Sequence, residues 1–178
     1  MKDAFILVVV SIVFLACTGP ATAQEIKLIP ELKPYEHILG TWKGEWEVRE
    51  NPRSPWFEAS SSVNIRSGGF FVEIRGTVDL GDGEVTSWID IIGFDPIQRG
   101  CVSSSFTSAG GRSVGTSQGW DGTTLTVNFT RFTPDRKVQV RRRTWEYSPD
   151  FKSVTLTCEV FTDGKWRVAV SGKSTKVD

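Results

Sequence analysis

Histidine and cysteine are scarce in this chain of 178 residues, which contains one histidine and three cysteines. This composition excludes zinc fingers, multi-haem proteins and disulfide-dense scaffolds, because each of these needs several ligands or several bridges. A chain of this length buries a substantial core without metals or disulfides, and it has room for one ordinary domain plus a short targeting segment. The sequence therefore predicts neither a metal nor a cofactor.

An excess of either charge is also absent, since 21 basic residues balance 21 acidic residues. Without net charge, the chain lacks the global positive field that attracts nucleic acid or an acidic membrane surface. The sequence therefore predicts no nucleic-acid partner.

The chain lacks an apolar run long enough to span a bilayer comfortably. Its longest run, residues 4–16, has only about 13 residues, and an Ala-Thr-Ala pattern follows at residues 21–23. Residues 1–23 are therefore predicted to be a secretory signal peptide, with no integral membrane span after cleavage. Acylation of Cys17 in a lipoprotein signal and an uncleaved anchor are the alternatives. All three place the domain outside the cytoplasm, secreted or periplasmic.

Turn-forming pairs recur at steady intervals, from Asn51-Pro52 to Asp163-Gly164. Each interval holds one strand of about 8–10 residues and no crossover helix, so successive strands must pair antiparallel. Closing such a long meander on itself removes its edges. The predicted fold is all-β, an antiparallel up-and-down barrel of about ten strands over residues 39–178. A leader with a short helical turn, residues 24–38, precedes it as a cap.

The start of the first strand, residues 36–46, reads Glu-His-Ile-Leu-Gly-Thr-Trp-Lys-Gly-Glu-Trp. Its Gly-x-Trp resembles the opening of the calycins, which include the lipocalin and fatty-acid-binding barrels. The stretch is more similar to an uncharacterised bacterial family of calycin-like barrels, and residues 68–73 and 92–95 fit that family too. The related nitrobindin barrels bind haem iron through a histidine close to the C-terminus. Here the single histidine, His37, precedes the barrel, so the resemblance does not extend to haem.

The calycin resemblance implies a structural plug. Gly40 lets the chain turn into the barrel, and Trp42 closes one end of it. In calycins a basic side chain from the last strand lies across this indole as a cation–π contact. Arg167 and Lys173 are the candidates here, and Lys173 is nearer to the matching position.

Strand alternation predicts an interior where large side chains alternate with small or polar ones. This composition leaves space and a few polar contacts, and a barrel of about ten strands is wide enough to enclose a ligand. No catalytic residue is assigned. The predicted ligand-binding residues are Trp46, Ser61, Phe70, Ser104, Thr116, Gln118 and Arg142.

Arg142 is the charged member of that set. Strand parity places it inward with Val138 and Val140, and places Arg141 and Arg143 outward. An arginine inside a barrel needs an anionic partner, and a guanidinium suits a carboxylate, as it does in fatty-acid-binding barrels. A solvated surface position, or a pair with an internal acid such as Asp90, is the alternative.

The two cysteines of the domain, Cys101 and Cys158, fall on the fifth and ninth predicted strands. Four strand spacings of about 4.8 Å separate them along the wall, which is too far for a disulfide. The sequence predicts two free thiols, despite an oxidising compartment. Cys158 is expected to face inward with Leu156 and Val160.

These patterns favour a binding module for a small apolar or amphipathic molecule. A barrel enzyme of the isomerase or cyclase type is an alternative that rests on fold analogy alone. A filled barrel with a structural or protein-partner role is the third possibility. A pocket acid or base with a strongly shifted pKa would favour the enzyme.

Overall fold

The computed structural model describes residues 26–49, 54–81 and 83–177. The predicted signal peptide, residues 1–23 with Cys17, lies outside the described residues. Within them the chain forms one 3-10 helix, Pro30–Ile38, and eleven strands. No helix of the described part is long and apolar enough to cross a membrane.

The strands follow one another in short succession after the helix. They are β1 (Gly40–Val48), β2 (Phe57–Ser67), β3 (Phe71–Asp79), β4 (Val85–Asp95), β5 (Gly100–Thr107), β6 (Arg112–Ser117), β7 (Trp120–Asp121), β8 (Thr124–Phe132), β9 (Val138–Tyr147), β10 (Ser153–Thr162) and β11 (Lys165–Lys176).

The sheet closes on itself. Strands β1 to β6 pair antiparallel in sequence order, β6 then pairs with β8, and β8 to β11 continue the order until β11 pairs with β1. The two-residue β7 pairs with β8 and is an extra strand beside the barrel. The prediction of an all-β, sequential antiparallel barrel of about ten strands with one short helical segment is therefore confirmed.

Two glycines let indole rings lie against neighbouring strands inside the barrel. A Cβ atom at Gly172 would lie 2.2 Å from the Trp46 ring, and one at Gly76 would lie 2.1 Å from the Trp88 ring. Each tryptophan is the direct cross-strand partner of its glycine. The glycines therefore fix the positions of both indoles, whose ring centroids are 5.7 Å apart.

The 3-10 helix covers the end of the barrel at which β1 begins. Its apolar residues Leu32, Tyr35 and Ile38 are buried, and the helix packs against β3 and β4. Gly40 follows with a φ of +123°, a backbone conformation that residues with a Cβ rarely adopt. This conformation turns the chain from the helix into β1.

Trp42 lies directly beneath the helix and is buried. Its Nε1 donates a hydrogen bond to the Ile38 carbonyl at 2.9 Å. The basic side chain across its ring is Lys176, whose Nζ lies 5.8 Å from the ring centroid and donates to the His37 carbonyl. The prediction of Lys173 was wrong: Lys176 pairs with Trp42 in the register, and Lys173, three residues earlier, lies on the outer face.

Both cysteines of the barrel are buried free thiols, as predicted. Cys101 lies on β5 and Cys158 on β10, which is the ninth strand of the barrel when β7 is left out. The two strands are not neighbours in the sheet. Leu156, Cys158 and Val160 are all buried, in agreement with the inward face expected for them.

Candidate functional site

A cavity of about 260 Å³ lies inside the barrel, above Trp42. Most of its wall is apolar. Its aromatic side chains include Trp46, Trp88, Phe129 and Trp145, and aliphatic side chains from the 3-10 helix and from β1, β2, β3, β8, β10 and β11 contribute to the rest. Tyr147 lines the cavity near the plugged end, and burial raises the pKa of its phenol, so the hydroxyl stays protonated.

Four charged residues lie in the described lining: Asp90, Arg131, Arg141 and Arg143. Arg131 stands on β8 and pairs in the register with Gln139 of β9, which makes it the diagonal neighbour of Arg141 on the same face. Arg143 follows two residues after Arg141 and therefore points the same way. The three guanidiniums form a cationic strip on one wall of the cavity.

The innermost arginine of the strip is neutralised. Arg143 Nη1 donates to Asp90 Oδ2 at 2.8 Å, and Asp90 is 3% exposed. Burial lowers the pKa of Arg143, but the Asp90 carboxylate and the Cys158 side chain together outweigh this effect, so the pKa is raised overall. The other carboxylate oxygen, Asp90 Oδ1, is buried without a hydrogen-bond partner. The pair links β9 to β4 across the interior.

The other two arginines have no carboxylate partner among the described residues. Arg141 is buried and donates from Nε and Nη2 to Gln139 Oε1, at 3.0 and 2.7 Å, so its partner is a neutral amide. Arg131 lies close to Gly111 and the rim of the barrel. Burial lowers the pKa of both guanidiniums. The neighbouring Cys158 side chain opposes this effect at both, whereas the charge of Arg143 adds to it at both and the charge of Arg131 adds to it at Arg141.

The predicted inward position of Arg142 was wrong. Its side chain lies on the outer face, where it forms a 2.7 Å salt bridge with Glu159 and stacks over the Trp166 ring. The parity of β9 was inverted because Val138 and Val140 are exposed apolar residues on the outside of the barrel. Because the prediction assigned both valines to the core, it placed Arg141 and Arg143 on the outer face, whereas they face the cavity.

Among the other predicted site residues, Trp46 lines the cavity. Ser61 is buried on the inward face of β2, but its Oγ donates to the Gly44 carbonyl at 3.3 Å, so it supports the backbone beside the cavity. The assignment of the remaining residues to the interior was wrong, because each of them is exposed: Phe70, Ser104, Thr116 and Gln118.

The errors on β5 and β6 have a common cause. These strands carry small polar residues on both faces, so alternation of polarity does not identify the inner one. The register places Ser105 and Ser113 in the cavity wall, one residue away from the exposed Ser104 and Val114. The sequence of β9 contained a clearer indication of the inward face: Trp145 and Tyr147 alternate in step with Arg141 and Arg143, and all four line the cavity.

His37 lies on the covered end of the barrel, stacked on Phe151 with ring centroids 4.9 Å apart. In the part of the chain that the structure describes, no group of three His, Cys, Asp or Glu side chains is placed to hold a metal ion.

A closed antiparallel barrel with one covered end and an internal, largely apolar cavity is thus the class of protein that the fold and site define. The chain belongs to a family described as a protein of unknown function (DUF1579), which matches residues 32–176. No curated protein matches the chain in sequence.

Solved structures similar to the barrel include a mycobacterial protein and a designed barrel. The crystal structure of Rv2717c from M. tuberculosis superimposes with a TM-score of 0.65 and 14% identity, over 85% of this chain and 100% of that one. This likeness shows the fold alone. A de novo designed fluorescence-activating β-barrel gives a TM-score of 0.42 and 15% identity, over 83% of this chain and 99% of the design.

Proposed function

We propose that this protein binds a small apolar or amphipathic molecule inside the barrel. The supporting observation is the cavity of about 260 Å³, walled by aromatic side chains and provided with a few convergent polar groups. Ligand sites typically have this composition, and a filled barrel would have no such space. Because an apolar cavity of about 150 Å³ already accommodates benzene, the ligand is expected to be somewhat larger than one aromatic ring.

The proposal includes a calycin-like architecture and a location outside the cytoplasm. Gly40, Trp42 and the lysine across the indole supply the features that the calycin resemblance implies, with Lys176 in the place expected for Lys173. The signal-like residues 1–23 support secretion or a periplasmic location.

Native mass spectrometry of the protein purified from its own source tests the proposal, combined with a titration of octan-1-ol followed by tryptophan fluorescence. Trp46, Trp88 and Trp145 line the cavity, so an occupant should alter their emission. The variant Ser105→Phe places a ring into the cavity wall. Ser104→Phe adds the same ring on the exposed face and is the matched control.

The expected result is a bound mass, or saturable octan-1-ol binding, in the wild type and in Ser104→Phe, with loss of both in folded Ser105→Phe. Circular dichroism establishes that each variant is folded. A wild-type protein with neither bound mass nor saturable binding would contradict the proposal and favour a structural or protein-partner role.

A further inference from the structure

The charges inside the cavity do not balance. Three arginines and one aspartate line it, an excess of two positive charges, and Asp90 is committed to Arg143. Arg141 donates to the neutral Gln139 amide and lies beside the Cys158 thiol, and it has no carboxylate partner among the described residues. Arg131 forms no salt bridge within the described residues. The excess therefore resides on Arg131 and Arg141.

Such an arrangement is costly for the protein alone. Transferring a cation into an apolar interior without an opposite charge carries a desolvation penalty of several kcal/mol. Two cations held on the same wall also repel each other, since the charge on Arg131 acts unfavourably on Arg141. An anion between the buried Arg141 and the half-buried Arg131 would remove both costs, which is the usual reason for retaining cations without an opposite charge at a site.

Building on the ligand-binding function proposed above, we infer that the ligand is an amphipathic acid and that Arg131 and Arg141 bind its anionic group. Their positions as diagonal cross-strand neighbours place the Cα atoms about 7–8 Å apart, so one carboxylate can accept hydrogen bonds from both guanidiniums. Arg143 lies deeper in the cavity, two residues after Arg141 on the same face of β9, and stays paired with Asp90.

The rest of the cavity suits the apolar body of such an acid. From the arginine strip, the wall continues toward Trp42 through Trp145 and Leu156, with Trp46 and Trp88 on the opposite side. Scaling from benzene in about 150 Å³, a cavity of this size accommodates an acid of about eight to ten carbons. The buried Asp90 Oδ1, which has no partner, is an additional acceptor for a ligand hydroxyl group.

Calorimetric titration of octanoate and octan-1-ol distinguishes this inference from simple apolar binding. The two probes have the same chain length and differ only in the charged group. The wild type should bind octanoate about tenfold or more tightly than octan-1-ol, as expected for hydrogen bonds to charged groups. In Arg131→Gln and Arg141→Gln, octanoate binding should weaken about 10- to 100-fold while octan-1-ol binding changes little.

Arg142→Gln is the matched control, because it makes the same substitution on the same strand but on the outer face. It should bind both probes as the wild type does. Equal affinity for the two probes, or octanoate binding that is insensitive to Arg131→Gln and Arg141→Gln, would overturn the inference and leave the proposed binding function standing. If the folded wild type binds neither probe and carries no bound mass, both proposals fail.

Discussion

Arg143 and Asp90 face each other across the interior of the barrel, with 2.8 Å between Nη1 and Oδ2. They stand on β9 and β4, which are not adjacent in the sheet, so the pair joins opposite walls. Arg141, only two residues earlier on the same face, has a neutral partner instead. Two nearby arginines of one strand therefore have different electrostatic surroundings: Arg143 is paired with a carboxylate, and Arg141 has no carboxylate partner among the described residues.

The structural role of the pair predicts a large loss of stability when it is broken. Arg143→Met leaves the Asp90 carboxylate buried without a cation, which should lower the free energy of unfolding by about 3–5 kcal/mol. Urea denaturation measures this loss. In the double variant Arg143→Met/Asp90→Leu most of the stability should return, because no charge is left unpaired. A single variant as stable as the wild type would show that the pair contributes little.

In the ligand-free protein, Arg141→Met should change the free energy of unfolding in the opposite direction to Arg143→Met. It removes a buried cation that no carboxylate neutralises and replaces it with an apolar side chain of similar length. We expect the free energy of unfolding to rise by up to about 1–2 kcal/mol, as is common when a residue kept for function is replaced. Thermal denaturation of both variants side by side checks this. A loss comparable to that of Arg143→Met would indicate a structural role for Arg141.

The sequence was sufficient to predict the barrel architecture, because each turn is specified by residues that are adjacent in the sequence. Recurring pairs such as Asp163-Gly164 mark the ends of hairpins regardless of what the strands enclose, and Gly40 and Trp42 mark where the barrel begins. The separation of Cys101 from Cys158 followed from strand order alone, and the buried free thiols agree with it.

The cavity was less predictable, because which face of a strand points inward depends on the whole sheet. On β9, the exposed Val138 and Val140 outweighed Trp145 and Tyr147 in the parity assignment, and one residue of error exchanged Arg142 for its neighbours. Asp90 was named as a possible internal partner for an inward arginine, but for Arg142; since the pair joins residues far apart in sequence, no local pattern identified Arg143 as that arginine.

Trp42 should carry a large share of the stability at the covered end. It is 2% exposed, donates to Ile38 and meets Tyr147 edge-on with ring centroids 5.5 Å apart. Trp42→Ala should therefore cost about 3–5 kcal/mol in chemical denaturation. Trp56→Ala, at a residue 40% exposed, is the control and should cost much less. A loss below about 1 kcal/mol at Trp42 would mean that another group closes this end.

The buried thiols should not react with alkylating reagents in the native protein and should react after unfolding. Burial raises the pKa of the Cys101 thiol, which keeps it protonated and unreactive in the folded state. Iodoacetamide labelling with peptide mapping should find Cys101 and Cys158 unmodified in the native protein. Both should be modified after unfolding without a reductant. Failure to label either cysteine in the unfolded chain would indicate a disulfide, which the separation of β5 and β10 does not permit.

Alkaline pH should destabilise the barrel through its tyrosines. The chain has two, Tyr35 and Tyr147. Burial raises the pKa of both phenols above the usual value of about 10, and the neighbouring Cys101 thiol adds to the effect at Tyr35. The folded state therefore favours the protonated phenols, while the unfolded chain ionises near pH 10.

The resulting stabilisation is fully present below pH about 10 and is lost as the pH rises toward the higher folded values. In a spectrophotometric titration, the tyrosinate absorbance of the native protein should stay flat near pH 10 and then rise together with the loss of near-ultraviolet circular dichroism. In denaturant, both tyrosines should titrate near pH 10. Tyr35→Phe leaves Tyr147 as a single reporter, and its ionisation should still coincide with unfolding. Titration of a tyrosine near pH 10 in the folded protein would show that its ring is accessible to solvent.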